Sequence, residues 1–231
     1  MSSTHDVPQF ARGETAGVTL TDATTGDFTH PWLGAEKYFE DKNLSATGPV
    51  KPLLSKTLVK CRCCVNRTGV AIPPGTLVVL GQMAVKNGAG GTAVGGESGL
   101  YTITEIARMG VAGASGPVAA VLVDEYLPDA GVPDNGMCWV VVEGNCTVKS
   151  GLTQLTNDLA IGDPLVCMTG ATSAATSTGT TSGGKVDRLD LSITTGVALA
   201  ARAQAIIGYA LSACTSQGYN QSVRARMIPK W

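Results

Sequence analysis

The sequence predicts a mainly β protein: a small antiparallel β-sandwich or barrel-like domain with an extended N-terminal arm and little helix. From about residue 57, short runs rich in β-branched residues alternate with clusters of Gly, Pro and Asn, which is typical of strands and turns. Glycine is also abundant, with 29 in 231 residues, against a usual share of about 7%. We therefore divide the chain into an arm, residues 1–56, and a β domain, residues 57–231.

Nine runs are predicted to be strands. The first ends at 66–69, where Asn-Arg-Thr-Gly has the composition of a turn. The stretch 129–136 ends in Asn-Gly, a common hairpin turn between two strands. The predicted strands are 57–65, 76–80, 101–106, 118–123, 137–143, 147–149, 164–168, 205–211 and 222–228.

Little helix is expected. The composition allows a short helical turn at 35–41 and a short helix at 152–159, whereas the Ala-rich stretch 197–204 fits a helix or a strand lead-in. Residues 87–96 and 169–184 have almost no charge and no bulky apolar side chain, so both are predicted to be exposed loops. The second loop is long enough to reach a neighbouring subunit.

The N-terminal segment differs from the rest of the chain. Residues 1–56 hold both histidines and all three phenylalanines, yet their apolar residues follow no period of 2 or 3.6. Such a segment cannot build its own core, and disordered segments are usually poor in aromatic residues. We therefore predict an arm that lies on another surface. Its expected anchors are Phe10, Trp32, Tyr38 and Phe39, because large aromatic residues carry much of the energy of interfaces.

Partner contacts are also predicted at the C-terminal end. Arg224 and Arg226 alternate on the last predicted strand, which indicates either a solvated face or a surface complementary to a partner's acidic patch. Trp231 completes the predicted partner-binding residues.

Charge and hydropathy exclude several classes of partner. Seventeen basic and eighteen acidic residues give a net charge of −1, so no general attraction to nucleic acid or to anionic membranes is expected. No stretch approaches 18 consecutive apolar residues, so no membrane-spanning helix is predicted. The first residues lack the basic and apolar regions of a signal peptide, and the seven cysteines are therefore expected to be reduced thiols.

No nucleotide-binding or cofactor-binding loop is predicted. Residues 179–185 match the first seven positions of a phosphate-binding P-loop, but Val186 stands where a Ser or Thr should hold Mg²⁺. Residues 88–93 fit a relaxed dinucleotide fingerprint without the helix that should follow it. Both are interpreted as loops.

Catalytic and metal sites are likewise not expected. Cys61, Cys63 and Cys64 lie on one predicted strand, with the first two on one face and the third on the other, which is the wrong spacing for a closed zinc site. We expect them to pack as small apolar residues. Both histidines lie in the arm, and no Gly-x-Ser-x-Gly elbow is present. The chain is therefore predicted not to be an enzyme.

The order of several motifs resembles that of phage head decoration proteins, also called capsid cement proteins. A strand with an Asn-x-Thr-Gly turn comes first, followed by Gly-Thr-x-Val, Trp-Val-x-Val-x-Gly, Gly-Asp-x-Leu, Ile-Gly-x-Ala-Leu and a final strand. These motifs occupy residues 58–69, 72–81, 139–148, 161–165, 206–211 and 223–228. The resemblance covers roughly residues 57–229, and the chain departs from it in its longer N-terminal segment and its Ser/Thr-rich loop.

The resemblance implies a structural protein of a virion. Such a protein is assembled in the host cytoplasm and binds the outer surface of an icosahedral head as a homotrimer, where it clamps neighbouring subunits of the major capsid protein. Two alternatives remain open at this point. One is a trimeric β-fold nucleotide hydrolase of the dUTPase kind, which needs a catalytic Asp and an ordered phosphate-binding loop. The other is a different virion β module, such as a tail-fibre-associated protein; a cell-surface adhesin would need an export signal.

Overall fold

The computed structural model confirms the mainly β architecture. The described residues form strands, bridges and turns and contain no helix. The described ranges are 33–41, 55–81, 85–86, 93–94, 101–107, 117–123, 127, 131–151, 158–167, 184–189, 206–214 and 221–228.

Twelve strands occupy these ranges. Every predicted run contains a strand, and the runs 137–143 and 147–149 are parts of one continuous strand. In chain order the strands are Glu36–Asp41 (β1), Ser55–Asn66 (β2), Leu77–Gly81 (β3), Val85–Lys86 (β4), Ala93–Val94 (β5), Thr102–Ile106 (β6), Val118–Val121 (β7), Met137–Lys149 (β8), Pro164–Cys167 (β9), Val186–Arg188 (β10), Ile206–Ala210 (β11) and Ser222–Met227 (β12).

Five strands pair in a closed ring, which we call the first ring. Its order is β2, β6, β3, β7 and β8, and it closes because β8 pairs back with β2. The β2–β6 pairing is parallel and the other four are antiparallel. Closing a sheet on itself removes open edges, and this closure is the barrel-like feature that the sequence predicts.

Strand β8 also belongs to a second group. Its second half pairs with β12, and the order continues through β11 and β9 to β10. A parallel bridge between Ser150, which follows β8, and Val186 of β10 closes this second ring. Gly144 lies where β8 passes from one ring to the other and has a φ of 105°. A Cβ there would lie 3.1 Å from the Leu58 carbonyl oxygen, so the bend favours glycine.

Two buried apolar clusters hold the sheet together. One extends across both rings and includes Trp139, Leu165 and Ile207. The other is confined to the first ring and to the loops beside it, and includes Ile72, Leu80 and Val140. Side chains on both faces of the first ring are therefore buried, which accounts for the continuous apolar runs in its strands.

Several local predictions are corrected. Residues 36–41 form β1, paired antiparallel with β2, rather than a helical turn. The backbone groups of this segment are satisfied by the edge of β2, and this tertiary pairing outweighs the local helical preference. Ala93 and Val94, inside a predicted loop, pair with Val85 and Lys86. Leu159 is not helical but forms a bridge to Cys214.

Other predictions lie outside the described residues. These are most of the arm, at 1–32 and 42–54, most of the helix predicted at 152–159, the Ser/Thr-rich loop up to residue 183, and the ambiguous stretch 197–204.

Candidate partner-binding surface

The aromatic anchors predicted in the arm have different environments. Phe39 is half-buried and meets Trp139 edge to face, with ring centroids 5.2 Å apart. Its neighbour Tyr38 points to the other face of β1 and is 59% exposed. Tyr38 is thus available to a partner, whereas Phe39 packs on its own domain. Phe10, Trp32 and Trp231 lie outside the described residues.

A charged cluster joins β1 to β2 on the face that carries Tyr38. Glu36 accepts hydrogen bonds from the Arg62 guanidinium, whose Nη2 lies 2.5 Å from Oε1. Its other carboxylate oxygen lies 2.7 Å from Lys60 Nζ. Burial alone would raise the pKa of Glu36, but the hydrogen bonds and positive charges of Lys60 and Arg62 outweigh it and lower that pKa. These interactions between side chains of β1 and β2 stabilise the pairing of the two strands.

The two arginines predicted as partner-binding residues lie on one face of β12. Val223, Ala225 and Met227 point into the core, and the alternate residues point outward. Arg226 is exposed and Arg224 is half-buried. The structure therefore brings the two arginines together on one accessible surface.

The strands on either side extend this surface. Lys149 and Thr147 of β8 lie opposite Ser222 and Arg224. On β11, Tyr209 lies opposite Arg226 and is 44% exposed. We call the surface formed by the outward-facing residues of these three strands the basic face. Its defining residues are Lys149, Tyr209, Arg224 and Arg226.

Hydrogen bonds fix two of the cations on the basic face. Arg224 Nη1 donates to Thr147 Oγ1 at 3.3 Å, and Lys149 Nζ donates to Ser222 Oγ at 3.0 Å. Each bond joins neighbouring strands, so these side chains are held in place before any partner binds.

Apolar side chains lie beside the cations. Leu211 follows β11 and is 39% exposed, and Ile161, in the turn before β9, is 70% exposed. The Gly162 amide of that turn donates to the Ala210 carbonyl oxygen at 2.8 Å, which places the turn next to β11. Lys149, Tyr209, Leu211 and Ile161 were not predicted from the sequence to be partner-binding residues. The alternation of β11 and β12 could have indicated which of their residues point outward, but not which strands are neighbours.

The P-loop-like sequence does not have the structure of a phosphate-binding loop where it is described. Lys185 is buried, and the residues after it form β10 rather than a helix. The Gly184 amide donates to the Ala107 carbonyl oxygen, and the Gly184 carbonyl accepts from the Leu77 amide. These hydrogen bonds connect the end of this segment to the start of β3 and to the residue that follows β6. Likewise, a strand rather than a helix contains Ala93, where the dinucleotide-like fingerprint ends.

All seven cysteines are buried, and none of them forms a disulfide. Cys61 and Cys63 belong to the cluster that spans both rings and Cys64 to the other, which confirms their predicted split between the two faces. Burial raises the pKa of Cys63 to about 12. Burial also raises the pKa of Cys64 and of Cys138, which lies directly opposite it on β8. Within the described ranges, no group of three or more His, Cys, Asp or Glu is placed to hold a metal ion.

The Asn-x-Thr-Gly motif forms a turn that is fixed by its asparagine. Asn66 is fully buried, and its Nδ2 lies 2.7, 3.0 and 3.1 Å from the carbonyl oxygens of Val70, Val132 and Pro133. Its Oδ1 accepts hydrogen bonds from the amide and hydroxyl of Thr68. The asparagine therefore ties the end of β2 to the loop that precedes β8.

Neither a search for membrane spans nor comparisons with known proteins assign a function to the chain. Among the described residues, no helix is long and apolar enough to cross a membrane. No protein-family model, no curated protein and no solved structure matches the chain.

Proposed function

We propose that this chain is a non-catalytic structural protein of a phage virion. It binds the outer surface of the icosahedral head as a homotrimer and stabilises the contacts between subunits of the major capsid protein. Its partners are the major capsid protein and further copies of itself, and the role needs no cofactor, nucleic acid or membrane.

The observation that carries the proposal is the structural role of the motifs that resemble decoration proteins. The glycine of Trp-Val-x-Val-x-Gly is Gly144, which forms the bend of β8 between the two rings. The glycine of Ile-Gly-x-Ala-Leu is Gly208, where a Cβ would lie 2.3 Å from the Arg226 carbonyl oxygen. Both glycines allow a bend or a close approach of strands, so these motifs have a role in folding and not in catalysis. This role supports the proposal that the chain shares the architecture of decoration proteins.

The exposed surface supports a binding role. Tyr38, Leu58 and Tyr209 are all large and more than two-fifths exposed, at 59%, 56% and 44%. They lie on strands whose backbone is paired, so they are presented rigidly. Tyr38 and Leu58 lie on the same face of the β1–β2 pair, whereas Tyr209 lies on the basic face. Large apolar and aromatic side chains exposed on ordered strands can serve as anchors of an interaction surface.

The alternative functions receive less support. The end of the P-loop-like segment continues into β10 instead of a helix, so this segment supplies no support for a phosphate-binding loop. A hydrolysis assay on the pure protein with dUTP and ATP should give no turnover above the buffer blank. Turnover that follows the protein through purification would restore that alternative.

The copy number in purified particles tests the proposal. An antibody raised against the recombinant chain would follow the protein through density-gradient purification of heads, tails and complete virions. We expect it in the head fraction, at a copy number close to that of the major capsid subunit. Recovery in the tail fraction would favour the tail-fibre alternative, and recovery only in the soluble lysate would contradict a virion role.

A further inference from the structure

The charge of the basic face differs from that of the chain as a whole. Lys149, Arg224 and Arg226 bring three positive charges to two adjacent strands, although the net charge of the protein is −1. The described outward-facing residues of β11, β12 and the second half of β8 include no Asp or Glu. Carboxylates lie at the edges of the face: Asp163, in the turn before β9, forms an ion pair with Arg188 at 3.8 Å, and Glu143, just before the second half of β8, lies opposite Lys60.

The spacing of the cations suits an extended partner. Alternate residues of a strand are about 6.7 Å apart, so Arg224 and Arg226 form a row along β12, and Lys149 continues the row next to Ser222. Charges in a row can meet several separate carboxylates, whereas a single small anion needs donors that converge on one point. Arginine also pairs with carboxylates through two parallel hydrogen bonds.

The apolar neighbours of the cations favour a protein over a nucleic acid. Tyr209 lies opposite Arg226, the Leu211 amide donates to the Arg224 carbonyl oxygen, and Ile161 lies in the turn next to β11. These side chains offer aromatic and aliphatic contact area, and Tyr and Arg are enriched in the centres of protein interfaces. Proteins that bind duplex DNA tightly make about 6–10 phosphate contacts, twice or more the number of cations here. Of the three side chains only Tyr209 is aromatic, whereas proteins that bind single strands stack successive bases on several aromatic side chains.

We infer that the basic face binds a carboxylate-rich surface of a different protein; the identity of that partner as the major capsid protein rests on the proposed function. Lys149 and Arg224 are already held by Ser222 and Thr147. Binding therefore costs little ordering of these side chains. The aromatic and aliphatic residues supply apolar contact, and the cations select acidic partners.

Charge neutralisation tests this partner chemistry. The probe is an immobilised poly(glutamate, tyrosine) copolymer, and the full-length chain is applied at low ionic strength. Lys149→Gln with Arg226→Gln removes two positive charges from the basic face and leaves the Arg224–Thr147 bond intact. The matched control, Val70→Glu with Ala71→Glu, lowers the net charge by the same amount at exposed positions in the turn after β2. A second control, Lys149→Arg with Arg226→Lys, keeps the charge of the face.

We expect the neutralised variant to bind the copolymer about tenfold more weakly, which corresponds to about 1.4 kcal/mol, and both controls to bind like the wild type. Equal weakening in the neutralised variant and the Val70/Ala71 control would overturn the inference, because net charge alone would then explain binding. If the wild type binds poly(dT) more tightly than the copolymer, and the neutralised variant loses this binding, the partner of the basic face is a nucleic acid. This result would also overturn the inference. If the neutralised variant sediments differently from the wild type, the substitutions have changed the oligomeric state. The partner of the basic face would then be a second copy of the chain, and this result would also overturn the inference.

Binding to purified heads separates this inference from the proposed function. If the wild type and the neutralised variant bind heads equally well, the cement role stands and the basic face is not its docking surface. If neither binds heads but the copolymer result holds, the face is a binding surface and the proposed capsid role fails.

Discussion

Phe39 and Trp139 meet edge to face, with ring centroids 5.2 Å apart and ring planes at 78°. Phe39 belongs to the segment expected to act as an arm, whereas Trp139 is buried in β8 of the first ring. Because the side chains of Phe39 and Trp139 pack together within one chain, β1 is an integral strand of the domain. Residues 36–41 are therefore not a free arm, and of the two adjacent aromatic residues Tyr38 is the one whose side chain is exposed to a partner.

Phe39→Ala should destabilise the isolated protein. The change removes a partly buried ring and its contact with Trp139, and we expect a loss of about 1–3 kcal/mol in the free energy of unfolding. Tyr38→Ala is the matched control on the adjacent, exposed side of β1 and should cost less than about 0.5 kcal/mol. Equilibrium denaturation measures both. Equal stability of the Phe39 variant and the wild type would mean that β1 is not docked on the free protein.

The contribution of Glu36 to stability should depend on pH. The pKa of this carboxyl is lowered in the folded protein, so the ionised form stabilises the fold above the ordinary pKa of 4.5. This stability is lost as the pH falls from about 4.5 through the lower folded pKa. Glu36→Gln should therefore unfold at a lower denaturant concentration than the wild type at pH 7, and the difference should shrink below pH 4. If the difference in denaturation midpoint between Glu36→Gln and the wild type stayed constant between pH 7 and pH 3, the ionised Glu36 would not be the source of the stability.

Asn66 should be needed for its hydrogen-bond donors and not only for its size. Asn66→Asp keeps the shape but cannot donate to the carbonyl oxygens of Val70, Val132 and Pro133. Unsatisfied buried polar groups cost about 1–3 kcal/mol each, so we expect a loss on the order of 2–4 kcal/mol at pH 7 in thermal or chemical unfolding. Thr68→Ser, which keeps the hydroxyl that bonds Asn66, is the control and should change little. Wild-type stability of the Asn66 variant would show that the turn holds without these bonds.

The cysteines should react only after unfolding. All seven are buried, which keeps the reagent from reaching them, and burial raises the pKa of Cys63 to about 12, so the Cys63 thiol stays protonated at pH 8. Ellman's reagent should detect no fast-reacting thiol in the native protein and all seven in guanidinium chloride. A strong chelator should leave the unfolding midpoint unchanged. Fast native labelling, or stoichiometric zinc by elemental analysis, would contradict the account of the cysteines as packing residues.

The strands could be predicted from the sequence because their signals are local. Val, Ile and Thr runs end at Gly, Pro and Asn, and β2, β3 and β8 each begin and end within a few residues of the predicted positions. The opposite faces of Cys63 and Cys64 follow from the two-residue period of a strand alone. The short strand β10 was missed because three residues carry too little pattern.

The pairing of the strands could not be predicted, because it depends on contacts between residues far apart in the chain. Tyr209 lies beside Arg226 only because β11 pairs with β12 in one particular register. Residues 36–41 have a composition that suits a helical turn, and only the open edge of β2 makes them a strand. For the same reason, the sequence indicated the two arginines of the basic face but not Lys149, which comes from β8.

The resistance of particles to heat tests the central claim most directly. Virions would be stripped of this protein, and their loss of DNA on heating would be compared with that of complete virions and of stripped virions to which the recombinant chain has been added back. A protein that binds only the assembled shell stabilises it by mass action. We therefore expect stripped particles to release DNA at a lower temperature and added protein to restore the original temperature. Identical release temperatures for stripped and complete particles would contradict the proposed cement function.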